Sequence, residues 1–182
     1  IHIITVPAHK DPRLAKKVIS RAEKMSEVTT EFHSGALTLE GVLCMPEEGG
    51  PVPAVIVCHP HPLYGGSMDN NVVNCLCSAL NAESFISFKF NFRGVGRSQG
   101  DFSNGAGEQE DVSNAISFVA TLSQVDPEYI GRIGYAPGAP FSLPVGWKDS
   151  RIKALGASPP PLSMSDFELL NCPAQLIILS SL

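Results

Sequence analysis

Ala54-Val55-Ile56-Val57-Cys58 is an unbroken apolar run, and the three residues at its centre are β-branched. A Gly/Pro-rich loop, Pro46 to Pro53, precedes it, and His59-Pro60-His61-Pro62 follows it. A strand with one wet face alternates apolar and polar residues. A continuous run reads instead as a strand covered on both faces, which is typical of parallel sheets packed between helices. The run therefore points to an α/β chain, provided that helices alternate with strands around it.

They do. Phe85 to Phe92, Ile130 to Tyr135, Ile152 to Ala157 and Gln175 to Leu179 read as further strands. Asn70 to Asn81 is helix-like, and Glu108 to Leu122 places Val112, Ala115, Ile116, Val119 and Leu122 on one side of a helix. Thr29 to Met45 alternates and is interrupted at Ser34-Gly35, which predicts two strands joined by a tight turn. Upstream, Asp11-Pro12 is a helix start signal. Leu14, Val18, Ile19, Ala22 and Met25 then recur at helical spacing, predicting a basic amphipathic helix over 11–27. Pro159-Pro160-Pro161 makes a rigid loop, and Ser165 to Leu170 reads as a short helix. The expected organisation is an N-terminal segment with a helix, residues 1–28, followed by one α/β domain over 29–182. That domain is a mostly parallel sheet with helices on both faces.

Charge excludes some functions. Thirteen Lys and Arg against eighteen Asp and Glu give a net charge of −5, which argues against a nucleic-acid binder. No apolar run approaches the length that spans a membrane. Ile1 to Lys10 lacks the features of a signal peptide, and no initiator Met is present. Five cysteines without a Cys-x-x-Cys suggest reduced thiols and a cytoplasmic protein. Cys75-x-Cys77 near His59 and His61 matches no common zinc spacing, so no metal is expected. Gly94-Val95-Gly96 lacks the third glycine of a dinucleotide fingerprint, because Gln99 stands there. The carboxylates Glu108, Glu110 and Asp111 open a predicted helix and suit its dipole. Arg93 is expected to pin its loop through backbone carbonyls.

Gly134-Tyr135-Ala136-Pro137-Gly138 lies between a predicted strand and a possible helix, Ala139 to Trp147. A Gly-x-Ser-x-Gly turn in that setting is a nucleophile elbow. Both glycines are at the required spacing, but the central residue is Ala136, which has no hydroxyl. The next residue, Pro137, has no N–H to offer a developing oxyanion. Pro140 and Pro144 weaken the helix that should follow.

Two further segments carry a family likeness. His59-Pro60-His61-Pro62 followed by Gly65-Gly66-Ser67-Met68-Asp69-Asn70-Asn71-Val72-Val73 resembles the loop after the third strand of small, lidless α/β-hydrolases related to dienelactone hydrolase. Asn91-Phe92-Arg93-Gly94-Val95-Gly96-Arg97-Ser98-Gln99-Gly100 resembles the loop after their fourth strand. With the elbow, the motifs stand in the family's order over residues 29–179. The resemblance implies the α/β-hydrolase fold, an eight-stranded sheet and a Ser-Asp-His triad. It also implies hydrolysis of a small-molecule ester or related acyl bond without a cofactor. Ala136 takes the nucleophile position. Because Pro60 and Pro62 lack N–H groups, oxyanion donors from the first loop must come from His61, Leu63 or Tyr64. His59 and His61 are expected to serve mainly turn structure through solvent or backbone hydrogen bonds.

The rest of the triad is expected after the last strand, yet all five histidines precede Ala136 and the sequence closes on Ser180-Ser181-Leu182. The C-terminal part of the family fold is thus expected to be missing. Asp149 and Asp166 fall too early to be the acid, and Ser142 lies too far past the turn to replace the nucleophile. Three readings remain open: an incomplete or inaccurately read hydrolase, a degenerate relative that binds a ligand or partner, and an unrelated α/β binding domain.

Overall fold

A computed structural model of the chain describes residues 25–135, 149–158 and 175–178. Its strands are β1 (Met25–Ser34), β2 (Leu37–Pro46), β3 (Val52–Cys58), β4 (Ile86–Phe90), β5 (Val125–Tyr135), β6 (Ile152–Ser158) and β7 (Gln175–Ile178). Two α-helices lie among the described residues, α1 (Asn71–Ala82) and α2 (Ala106–Ala120). The seven strands form one sheet in the order β1-β2-β4-β3-β5-β6-β7. β1, β2 and β4 pair antiparallel, and β4, β3, β5, β6 and β7 are parallel neighbours.

β3 is central because its sequence allows burial on both sides. Ala54, Val55, Ile56, Val57 and Cys58 are all buried. Val55 and Val57 pack with Val73 and Cys77 of α1. Ala54, Ile56 and Cys58 join the larger cluster, which includes Val112, Ala115, Ile116 and Val119 of α2. Helices therefore cover the two faces. Each of those four α2 side chains is fully buried, which contributes roughly 1.5–3 kcal/mol for a residue the size of valine or isoleucine. Phe32, Phe88, Phe90 and Phe118 fill the space beneath α2 with ring centroids 5.3–5.9 Å apart.

Local signals set the element ends. At α1, Asn70 is the N-cap, and its Oδ1 accepts from the Val72 N–H at 2.9 Å. At α2, Glu108 reaches back to accept from the N–H groups of Gly105, at 2.7 Å, and Ser103, at 2.9 Å. The turn between β1 and β2 uses Gly35 at φ 59°, where a side chain would be strained.

Two expectations change. The helix placed over 11–27 cannot reach its proposed end, because Met25, Ser26 and Glu27 pair with Pro46, Met45 and Cys44 in β1. Long-range pairing with β2 prevails over helical periodicity there, and the remainder of that helix lies outside the described residues. The strand expected over 85–92 is confined to Ile86–Phe90, since Asn91 and Phe92 already belong to the following loop. The seven strands among the described residues are those read from the sequence.

The strand order reverses at β3. The chain passes from β3 to β4 on one side, then crosses back to β5 on the other. Ligands of open α/β sheets bind at the carboxyl edge beside such a reversal. Cys58, the last residue of β3, pairs with Gly134, the penultimate residue of β5.

Candidate active site

Two loops are tied together at the carboxyl edge of β3 and β4. His59 follows β3 and is buried. Its Nδ1 lies 2.6 Å from the Pro60 carbonyl oxygen, and its Nε2 accepts from the Phe92 N–H at 3.1 Å. This pair of bonds defines the neutral tautomer with the proton on Nδ1. Burial pulls the imidazole pKa down to about 4, against a smaller upward pull from the Pro60 carbonyl. The ring also meets Phe92 edge-on at 4.8 Å.

A second set of bonds fixes the loop after β4. Asn91 accepts from the Met68 N–H at 2.8 Å and donates to Glu40 Oε1 at 2.8 Å. Glu40 also accepts from the Arg97 N–H and from Arg97 Nε at 2.8 Å. Burial pushes the Glu40 carboxyl up, but the bonds from Arg97 and Asn91 outweigh it and leave the group below its ordinary range. Ser98 Oγ donates to the Asn91 carbonyl at 2.6 Å and accepts from the Glu40 N–H at 3.1 Å.

Arg93 binds carboxylates, not the backbone carbonyls expected for it. Its guanidinium meets Asp111 Oδ1 at 2.7 Å and Glu110 Oε2 at 3.0 Å. Asp111 is fully buried, where it also accepts from Ser34 Oγ at 2.6 Å and the Arg93 N–H at 3.1 Å. Its role is thus an ion pair well inside α2, rather than the general dipole complement expected. Glu108 does sit in the first turn of the helix, as expected.

His61 opens a 3₁₀ turn, Pro62–Tyr64, and its Nδ1 accepts from the Leu63 N–H at 3.1 Å. The N–H groups of Tyr64 and Gly66 both donate to the His61 carbonyl, at 3.1 and 3.2 Å. Two of the three expected oxyanion donors, the N–H groups of Leu63 and Tyr64, are thereby engaged in the turn. The His61 ring lies 4.9 Å from both Tyr64 and Phe102. Leu63 and Tyr64 are exposed, at 67% and 82%. The structure thus brings His61, Tyr64 and Phe102 to one place. Ala136 and Pro137 lie outside the described residues. Ala136 is the next residue in sequence after Tyr135, the last of β5.

Sequence reasoning missed Glu40 and Phe102, and it placed Asn91 and Ser98 in the loop after the fourth strand without the bonds they make. A glutamate in the otherwise apolar stretch Leu39 to Leu43 was the available signal, since a buried carboxylate needs partners. Among the described residues, no group of three or more His, Cys, Asp or Glu could hold a metal ion. No helix among them is long and apolar enough to cross a membrane.

An α/β serine hydrolase homologue from Coxiella burnetii is 32% identical to this chain. The match covers 84% of this chain and 73% of the homologue, with a TM-score of 0.73. The chain belongs to the α/β-hydrolase family. A serine hydrolase without a lid from Xanthomonas campestris matches at 28% identity, over 85% of this chain and 71% of that one, with a TM-score of 0.70. Dienelactone hydrolase-like proteins share the fold as well. An uncharacterized protein of Rickettsia prowazekii is 35% identical over 133 residues, which is 70% of this chain and 55% of the relative. The chain spans about half the length of the curated relatives it matches. No protein-family model matches it.

Proposed function

We propose that this chain is a relative of ester and acyl hydrolases that does not itself turn over esters by a serine mechanism. The observation that carries this reading is the pair Ala136-Pro137, which follows Tyr135, the last residue of β5, in the sequence. An elbow at that point would present no hydroxyl and one oxyanion donor fewer, and loss of one such donor alone costs about 10²–10³ in kcat. A working relative with serine there would act on a small carboxylic ester without a cofactor. The odd number of cysteines, five, favours a reducing cytoplasm for it.

The test is a fluorophosphonate probe beside p-nitrophenyl acetate turnover. The purified chain should show no labelled serine and no turnover above buffer. A labelled serine with matching turnover would sink the reading.

The bonded loops favour a second reading, retained binding of a ligand or partner. His59, Asn91, Glu40 and Ser98 still lock the carboxyl-edge loops while Leu63 and Tyr64 stay exposed. Calorimetric titration with phenyl acetate would favour it if heat of binding appears and Tyr64→Ala removes it.

A further inference from the structure

A cavity of about 220 Å³ lies between α1 and the β1-β2-β4 side of the sheet. It is built by two regular patterns. On α1, Asn74, Cys77, Ser78 and Asn81 follow the i, i+3, i+4, i+7 spacing of one helix face. On the sheet, Glu27 pairs with Cys44 and Cys44 with Ser87, a row across three strands, while Val42 and Lys89 form the next pair. Cross-strand partners share a face, so both patterns line the same space. A helix packed on a sheet normally presents an apolar stripe. Here Val42 is the only aliphatic member of the lining, and the remaining groups are amides, hydroxyls, thiols and two charges.

Two groups in that lining bear on what it can bind: an unpartnered amide oxygen and a sheltered cation that already holds a bond. Asn81 Oδ1 is buried and accepts no hydrogen bond. A buried acceptor without a donor needs an explanation. Lys89 is the second. Its side chain is 13% exposed, and its nearest carboxylate is that of Asp69, 3.7 Å away and 75% exposed. Such a pair is weak, and the remaining bond of the ammonium is to Asn74 Oδ1 at 2.8 Å. Glu27 is exposed, two strands away from Lys89. The cavity thus has a cation on its sheltered side and an anion with a bare amide oxygen elsewhere in its lining. Its volume falls below the ~300–1,000 Å³ of sites for drug-sized ligands.

We propose that this cavity binds a small zwitterion of the amino-acid class. The carboxylate of the ligand faces Lys89, and its ammonium donates to Asn81 Oδ1 and Glu27. The cavity runs along the sheet face beneath α1, from Ser87 near the amino end of β4 to Lys89, one residue before its carboxyl end. It does not depend on whether the chain hydrolyses esters.

The cysteines supply the test. Cys44 and Cys77 line the cavity, whereas Cys75 is exposed on α1 and outside the lining. N-ethylmaleimide labelling is followed at each cysteine by peptide mass spectrometry, with γ-aminobutyrate as probe and butyrate and butylamine as one-ended controls. At about ten times its Kd, γ-aminobutyrate should slow labelling of Cys44 and Cys77 about tenfold and leave Cys75 unchanged. Neither control should do so at the same concentration. Unchanged labelling of Cys44 up to millimolar γ-aminobutyrate, or equal protection by butyrate or butylamine, overturns the proposal. Lys89→Met and Asn81→Leu should each abolish protection while the far-ultraviolet spectrum stays native. Protection that persists in both folded variants also overturns it. Should either variant fail to fold, the comparison in the unaltered protein still decides.

Discussion

Arg93 Nη2 lies 2.7 Å from Asp111 Oδ1, and this contact joins the loop after β4 to the middle of α2. Asp111 is fully buried, whereas Arg93 is 11% exposed and also meets the half-exposed Glu110. Removing Arg93 leaves the Asp111 charge buried without its cation, which costs about 3–5 kcal/mol. Arg93→Ala should lower the urea unfolding free energy by that amount, and Asp111→Ala by less, because Arg93 keeps Glu110. Arg93→Met combined with Asp111→Leu should be less damaging than the sum of the single changes. Additive losses in the double-mutant cycle would show that the pair is not coupled.

His59 makes stability depend on pH with a definite sign. The folded imidazole titrates at about 4, below the ordinary 6.5, because burial penalises its charged form. Protonating Nε2 would also turn an acceptor into a donor facing the Phe92 N–H. The unfolded chain binds the proton more readily. The contribution of His59 is therefore fully present above about pH 6.5 and is lost as pH falls towards 4, up to about 3 kcal/mol. Urea unfolding between those pH values should show stability rising with pH, with a shallower slope in His59→Leu. Equal slopes would reject the assignment.

Neighbouring glycines in the first loop should respond differently to alanine. Gly66 lies against the Pro60 and His61 carbonyls, and a methyl group there would collide with both. Gly65 has open space around it but a φ of 74°. Gly65→Ala should cost about 1 kcal/mol, the penalty of left-handed backbone. Gly66→Ala should cost more, about 3 kcal/mol, because backbone must move. The ranking is read from unfolding midpoints, and Gly65→Ala as the more harmful change would contradict the packing.

Elements whose reason is local were legible in the sequence. β3 declared itself by five consecutive apolar residues, and α1 falls within the helix-like stretch Asn70 to Asn81. What failed to show were relationships across long separations. Ser34 and Asp111 stand 77 positions apart and Glu40 and Arg97 stand 57 apart, yet both pairs bond. No periodicity encodes such contacts. The same limit explains the start of β1. Met25 continues a helical pattern by spacing, but the ladder with β2 decides its conformation. At the site, His61 and Tyr64 were readable because they follow β3 directly. Phe102 joins them only through the fold of a separate loop.

The last prediction concerns Ala136→Ser. A hydroxyl alone should not restore turnover of p-nitrophenyl acetate, because the described histidines offer no base. His59 is neutral, buried and bonded at both ring nitrogens. His61 already accepts the Leu63 N–H on Nδ1. His33 lies on β1, at the far edge of the sheet from β5. Pro137 still withholds an N–H from the oxyanion. The variant should therefore match the unaltered chain, within error, in a stopped assay with a fluorophosphonate control. Turnover that rises with Ala136→Ser and falls again with His61→Ala would identify His61 as a working base. It would overturn the view that this loop acts only through its shape.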